Sequence, residues 1–222
     1  MGESDGRYTM TRPKLTVAIT AYDSFNILER TLTKLYEQID NPEEVEVLVR
    51  NDNPELDDAR IEQTCDHCHF RYDKNEENIG ESRSRQRNLI DARGEYIAWI
   101  DADDNIEDNY IDIILAEIAL YNADIIMHRW HFLDGREGDQ HPKPLANWNV
   151  WANVYRTDLV RDVKFDPLQV YSSDYYWLEK VVKEKNPNIY YSDKSVNIYN
   201  DKNENSLTRR FQRGEIKARL DE

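Results

Sequence analysis

The chain has 222 residues, 39% hydrophobic and 33% charged, with a net charge of −15. That length suits one large domain, or one domain with an appended tail. A surface this negative repels phosphate backbones and anionic lipid, which argues against nucleic acid as a general partner and leaves many carboxylates for metal. No apolar run reaches the roughly 18–20 residues that cross a bilayer. The first dozen residues are too polar for a signal peptide, and two Cys make no disulfide framework. A cytoplasmic protein with no stable membrane insertion is expected.

Residues 1–12 read as an N-terminal arm. Leu15-Thr16-Val17-Ala18-Ile19-Thr20 is an apolar, β-branched run, as in a buried strand. Phe25, Leu28, Leu32, Leu35 and Ile39 then recur at three- and four-residue steps, the stripe of an amphipathic helix. Residues 45–49 form a second strand, broken by Asn51-Asp52-Asn53-Pro54, and 55–64 a second helix. A weaker third strand lies near 69–73. Asn78-Ile79-Gly80 marks a turn, 81–92 a polar helix stopped by Gly94, and 95–100 a fourth strand ending at Asp101. Ile111, Ile114, Leu115 and Ile118 define another helix, and 124–132 a fifth strand. This alternation implies right-handed crossovers and a mostly parallel α/β sheet with helices on both faces. The second half is less regular. It holds a loop over 134–147, a strand within 148–155, a helix over 174–185 and short strands at 189–191 and 196–199. Residues 201–222 carry Lys202, Arg209, Arg210, Arg213, Lys217 and Arg219, a basic tail on an acidic chain.

Asp101-Ala102-Asp103-Asp104 directly follows the fourth strand. Ligands of open α/β sheets bind at the carboxyl ends of strands, and residues two apart on an extended chain point the same way. Asp101 and Asp103 can therefore converge, and hard carboxylate oxygens suit Mg²⁺ or Mn²⁺. The plainer reading is an acidic turn in which Asp103 or Asp104 caps the next helix. Likewise, Asp52 before Asn53-Pro54 fits an Asx-turn. Cys65-Asp66-His67-Cys68-His69 has the form C-x-x-C-H, but no second Cys pair exists, and plain surface or core cysteines are expected. His128 and His131 lie in an apolar strand with no acidic partner at ligand spacing and read as core or edge residues.

The ordered set of motifs resembles family-2 glycosyltransferases of the GT-A fold class over about residues 13–120. The carriers are the opening strand from Pro13 to Tyr22, Asn51-Asp52-Asn53 after strand two, Asn78-x-Gly80-x-x-x-Ser84-Arg85, then Ala92-x-Gly94-Glu95-Tyr96-Ile97, and Asp101-Ala102-Asp103-Asp104 in place of the family's Asp-x-Asp. Two departures are Gln86, where the family often has Asn, and Asn88, where a glycine is common. The resemblance implies a Rossmann-like GT-A sheet with an irregular acceptor-side half. One domain would span 13–200, with a nucleotide-sugar-binding half over 13–104 and an acceptor half over 105–200, followed by a C-terminal tail or lid over 201–222.

By the same resemblance, Thr20 and Tyr22 line the nucleotide pocket. Asp52 accepts a hydrogen bond from a pyrimidine imide, and Arg85 stands beside the nucleotide. Asp101 and Asp103 make the ribose and metal contacts, with Asp104 a possible second metal ligand. In Tyr171-Ser172-Ser173-Asp174-Tyr175-Tyr176-Trp177, Asp174 matches the family's catalytic carboxylate, the base that deprotonates an acceptor hydroxyl. At a helix start its pKa is expected to be low; the plain alternative is a helix cap. Trp148, Trp151, Tyr175 and Trp177 are core residues first and candidate sugar platforms second. Arg209 and Arg210 follow a stretch, 199–208, that resembles the family's ending, and are expected to neutralise phosphate oxygens.

The implied activity is metal-dependent, inverting transfer from a UDP- or TDP-sugar to an acceptor hydroxyl with Mn²⁺ or Mg²⁺. The acceptor stays open among a saccharide, a protein, a small molecule and a modified base. Two other classes compete. A nucleotidyltransferase needs a Gly-rich signature with Lys or Arg after strand one, where Ala21-Tyr22-Asp23-Ser24 stands instead. A non-catalytic nucleotide-sugar or glycan-binding module would bind without turnover.

Overall fold

The computed structural model describes residues 12–138 and 149–220. The first half runs β1 (Leu15–Ala21), α1 (Phe25–Gln38), β2 (Val45–Asn51), α2 (Ala59–Cys68), β3 (Arg71–Lys74), α3 (Glu81–Asp91) and β4 (Tyr96–Asp101). Then come β5 (Asn105–Ile106), α4 (Tyr110–Tyr121), β6 (Ile125–Phe132), a 3₁₀ turn (Val150–Ala152), β7 (Asn153–Arg156), α5 (Thr157–Val160), α6 (Ser173–Lys185), β8 (Ile189–Tyr199) and α7 (Leu207–Gln212). One eight-stranded sheet has the order β3-β2-β1-β4-β7-β6-β8-β5. The β3-β2-β1-β4 half is parallel throughout. Beyond β4 the sheet is mixed: β7 is antiparallel to both β4 and β6, while β6 and β8 run parallel.

Strand alternation sorts the core into two layers. Leu15, Val17 and Ile19 of β1 and Tyr96, Ala98 and Ile100 of β4 pack with α1 and α4 on one face. Ala18, Ile97 and Trp99 pack on the other face with Leu89 of α3 and Trp177, Leu178 and Val181 of α6. Trp177 and Trp151 are therefore core residues, with Trp177 Nε1 donating to Val163 O at 2.9 Å. Trp148 lies outside the described residues.

Helix α3 ends at Asp91, so Gly94 is not its stop. Its role is close approach: a Cβ at Gly94 would lie 2.4 Å from Thr16 N and 2.7 Å from Leu15 C, both backbone atoms of β1. Asn88, where the family often has glycine, is fully buried and donates to Ile19 O and Thr20 Oγ1 while accepting from Arg50 Nε at 2.8 Å. Gln86 accepts from the Phe165 backbone N–H at 3.0 Å.

His128 is a core residue, in line with the sequence reading, and each histidine of β6 finds an acidic partner that is distant in sequence. His128 Nε2 lies 2.8 Å from Glu117 Oε2, and Ser192 Oγ donates to Glu117 Oε1 at 2.7 Å. His131 pairs more loosely with Glu107, at 3.4 Å. The first network is buried and joins α4, β6 and β8. Glu117→Ala strands two buried polar side chains and is expected to cost about 3 kcal/mol in urea unfolding. A loss under about 1 kcal/mol would remove the network from the stability account. Cys65 and Cys68 are buried thiols; burial pushes Cys65 up to about 12, so it is inert.

Candidate active site

The chain leaves β1 toward β2 on one side, while β4 lies on the other, which makes a switch point between β1 and β4. Ligands of such sheets bind in that crevice. The ladder places Thr20 opposite Asp101, and Ala21 opposite Asn51, the residue before Asp52. Thr20, Tyr22, Asp52 and Asp101 therefore share one rim. Tyr22 is 46% exposed there, free to meet a planar ligand.

Asp52 is 3% exposed. Its Oδ1 accepts from Asn75 Nδ2 at 2.8 Å and from Ile79 N at 3.0 Å, and its Oδ2 accepts from Gly80 N at 2.9 Å. The Asx-turn belongs to Asn51, whose Oδ1 takes the Asn53 N–H at 2.8 Å. Asp52 instead fastens the end of β2 to the turn that starts α3. Gly80 makes this possible by adopting φ +84°, a conformation that glycine reaches without steric cost.

Arg85 is the hub of the cleft. It is 2% exposed, and its Nη2 touches Asp101 Oδ1 at 2.6 Å and Glu81 Oε1 at 2.8 Å. Burial works against its charge, but Glu81, Asp101 and Asp174 outweigh burial and hold the guanidinium more firmly protonated. Asp174 lies in the first turn of α6 and feels both Arg85 and Asp101. The N-cap position is Ser172, so the cap reading of Asp174 does not hold; its Oδ1 accepts the N–H of Tyr175, at 3.0 Å. Burial pushes its carboxyl up, against the pull of Arg85, which corrects the expectation of a lowered value.

The acidic loop is fixed from the C-terminal side. Asn203 Nδ2 donates to Asp103 Oδ2 at 2.7 Å, and Asn200 Nδ2 donates to Asp103 O at 3.0 Å. The Asn200 backbone N–H donates to Asp104 Oδ1 at 2.8 Å. Neither Asp103 nor Asp104 caps a helix, because the N-cap of α4 is Asn109. Burial raises both carboxyls, Asp104 strongly, with Asp101 adding to each. Asp104 is 1% exposed and its Oδ2 has no hydrogen-bond partner. Crowded, half-desolvated carboxylates with an orphaned oxygen are a chemistry that a hard divalent cation relieves. Among the described residues, no group of three or more His, Cys, Asp or Glu side chains is arranged to hold an ion alone. Asp101, Asp103 and Asp104 thus fit a metal that a ligand's own oxygens also bind.

Residues 201–220 are not a loose tail. Val170 and Tyr171 both donate backbone N–H groups to Ala218 O, Leu220 N donates to Leu168 O at 2.8 Å, and Phe211 stacks on Tyr171 with ring centroids 4.2 Å apart. Arg209 Nη2 donates to Asp201 O at 2.9 Å, and Arg210 lies 3.8 Å from Glu215. Both arginines are thus engaged inside the segment rather than with Asp101 or Asp103. A cavity of about 340 Å³ opens beside the acidic loop, between Asp23, Ser24 and Asn26 and the asparagines at 200, 203 and 205. A cavity of about 600 Å³ lies elsewhere, between charged side chains of α1 and α2, away from this chemistry. Tyr175 is 38% exposed and Tyr176 51%, so the aromatics beside Asp174 stand at the surface.

Sequence reasoning missed Glu81, Asn75, Asn200 and Asn203. The four-residue step from Glu81 to Arg85 was the available signal for the first. The others are amides, which carry no charge pattern to find them by.

The glycosyl transferase family 2 model matches residues 16–185. The glycosyltransferase GlyA of Streptococcus pneumoniae serotype 4 is 24% identical over 216 residues, which cover 84% of this chain but 30% of that protein. The crystal structure of S. aureus TarS superposes with a TM-score of 0.74 at 21% identity, over 84% of this chain and 36% of TarS. A TarS fragment was solved with UDP-GlcNAc, and matches at 0.73 and 22% identity over 85% of this chain and 59% of the fragment. The mannosyltransferase PcManGT from Pyrobaculum calidifontis, in complex with GDP-Man and Mn²⁺, matches at 0.70 and 14% identity over 92% of this chain and 62% of its own. The chain therefore spans about a third of the length of the first two relatives. Among the described residues no helix is long and apolar enough to cross a membrane. A parallel half-sheet whose rim holds Asp52 and Asp101, and a family match running from β1 to the end of α6, make this chain a member of glycosyl transferase family 2.

Proposed function

We propose that the chain moves a sugar from a uridine or thymidine diphosphate sugar to an acceptor hydroxyl, with a divalent metal and with inversion at the anomeric carbon. The observation that carries this is the buried guanidinium of Arg85, which touches Asp101 and lies in the field of Asp174. It gathers a rim carboxylate of the nucleotide crevice and a candidate base around one small space. Direct displacement needs that layout, with the leaving group on one side of the sugar and the acceptor on the other. Asp174 takes the acceptor proton as its oxygen attacks. Mn²⁺ or Mg²⁺, held by Asp103 with Asp101 and Asp104 beside it, would offset charge on the departing diphosphate. Arg85 supports this by position: its ion pairs hold Asp101 on the rim.

Asp52 would read the base with the lone pair left on Oδ2 after its bond to Gly80. A pyrimidine imide N–H suits that acceptor. The TarS fragment holding UDP-GlcNAc supports a uridine donor, while the GDP-Man complex of PcManGT marks the competing class. Calorimetry with UDP, TDP, GDP and CDP in Mn²⁺ decides. UDP and TDP are expected to bind about ten- to a hundredfold tighter than GDP and CDP, as a hydrogen bond to a charged acceptor provides. Excess EDTA should weaken UDP. Equal affinity for GDP would end the base-reading role of Asp52.

A further inference from the structure

We infer that Glu81 reads the donor's sugar ring and limits the donor to neutral, hydroxyl-bearing sugars, excluding uronates. This rests on the proposed function. Glu81 is the first residue of α3, directly after the left-handed Gly80, so the turn held by Asp52 fixes where its side chain starts. Its Oε1 and Asp101 Oδ1 touch the same nitrogen of Arg85, at 2.8 and 2.6 Å, which sets the two carboxylates side by side. The charges around Glu81 are Arg85, Asp101, Asp174 and Asp103. These are the groups that bracket the transferred sugar: diphosphate side at Asp101 and Asp103, acceptor side at Asp174.

Arg85 has 3% of its side chain exposed, against 28% for Glu81. Of the pair, Glu81 is the member that a ligand can reach. Oε1 is taken by Arg85, and among the described residues Oε2 makes no hydrogen bond. Burial pushes the Glu81 carboxyl up to about 7, so above neutral pH it is ionised and offers only acceptors, whose natural partner is a sugar hydroxyl or amide N–H. A uronate's carboxylate would face Glu81 with no donor between them, and like charges at close range in a low-dielectric cleft repel strongly. Asp104, 1% exposed with an orphaned Oδ2, shares Asp101, Asp103 and Arg85 with Glu81 as charged neighbours. Arg85 is the cation that Glu81 touches, and Asp101 already shares it. Replacing Glu81 by the neutral glutamine removes that repulsion and offers an amide N–H to a uronate.

The test is calorimetric binding at about pH 8, where Glu81 is charged, in Mn²⁺, of UDP, UDP-glucose and UDP-glucuronate to wild type and Glu81→Gln. Wild type is expected to prefer UDP-glucose over UDP-glucuronate by about ten- to a hundredfold. In Glu81→Gln the preference should fall to a few-fold or reverse, with UDP itself within about twofold of wild type. Equal wild-type affinity for the two sugars overturns the inference, as does a ratio that the substitution leaves unmoved. A parallel loss of UDP affinity also overturns it, because Glu81 would then act only as a brace for Arg85 and Asp101. If UDP does not bind but GDP does, GDP-mannose and GDP-mannuronate replace the uridine pair with the same outcomes. Failure of both nucleotides overturns the proposed function first, and the inference with it.

Discussion

Asp174→Asn should leave nucleotide affinity in place and lower transfer by about 10²–10⁴-fold, the usual contribution of a positioned base. The substitution is nearly isosteric and removes only the basic oxygen. Its hydrogen bond is to the N–H of Tyr175, which an amide oxygen can also accept, and Arg85 keeps its closer partners Glu81 and Asp101. The same environment predicts a pH profile. Burial raises the Asp174 carboxyl above the ordinary aspartate value, against the pull of Arg85. The base works ionised, so the rate should rise with pH through that elevated pKa and then level, at a higher pH than an exposed aspartate would give. In Asp174→Asn the acid limb should flatten. Near-wild-type turnover, or a product whose NMR spectrum shows the donor's anomeric configuration kept, would remove Asp174 from the role.

The second large effect is expected at Asp103. Asp103→Ala should abolish the metal-dependent part of transfer, at least about 10²-fold, since charge neutralisation at a leaving diphosphate supplies several kcal/mol. The fold should survive, for a reason other than exposure. Asp103 is half-buried, and its carboxyl is disfavoured by burial and by Asp101. Deleting it removes a strained charge along with one bond from Asn203. Melting in buffer should therefore shift by only a few degrees, while the added stabilisation by Mn²⁺ with UDP is lost. Turnover of wild type in saturating EDTA would count against a metal at this loop.

The donor half was legible in the sequence because its strands are buried on both faces. Leu15–Ala21 is a nearly continuous run of apolar and β-branched residues, and Val45–Val49 is apolar apart from Glu46. Asp101 could be placed because it ends such a run. The acceptor half resisted for physical reasons. Asn105–Ile106 is two residues long and exists only by pairing with β8. Ile189–Tyr199 reads as two short strands because Ser192, Asp193 and Lys194 interrupt it, yet in the fold they sit where the register with β6 shifts. Helix α7 has no buried residue, so no apolar stripe announces it. Helix α2 starts at Ala59, four residues later than its composition implied, because Asp58 is drawn to Asn51 and Tyr72. Glu81 looked like one more charge on a solvated helix face. Only the fold of Arg85 into the core turns that charge inward.

The glycine at 94 has a reach that its position hides. It stands where β4 begins, while the crevice opens where β1 and β4 end. Any side chain there would drive its first carbon into the backbone of Leu15 and Thr16. The two strands would be prised apart at the root, and the rungs above, up to Thr20 beside Asp101, would follow. The spacing of the nucleotide rim is thus set from the far end of the sheet, by an absent methyl group, and a substitution that touches no ligand would be read out as poor donor binding.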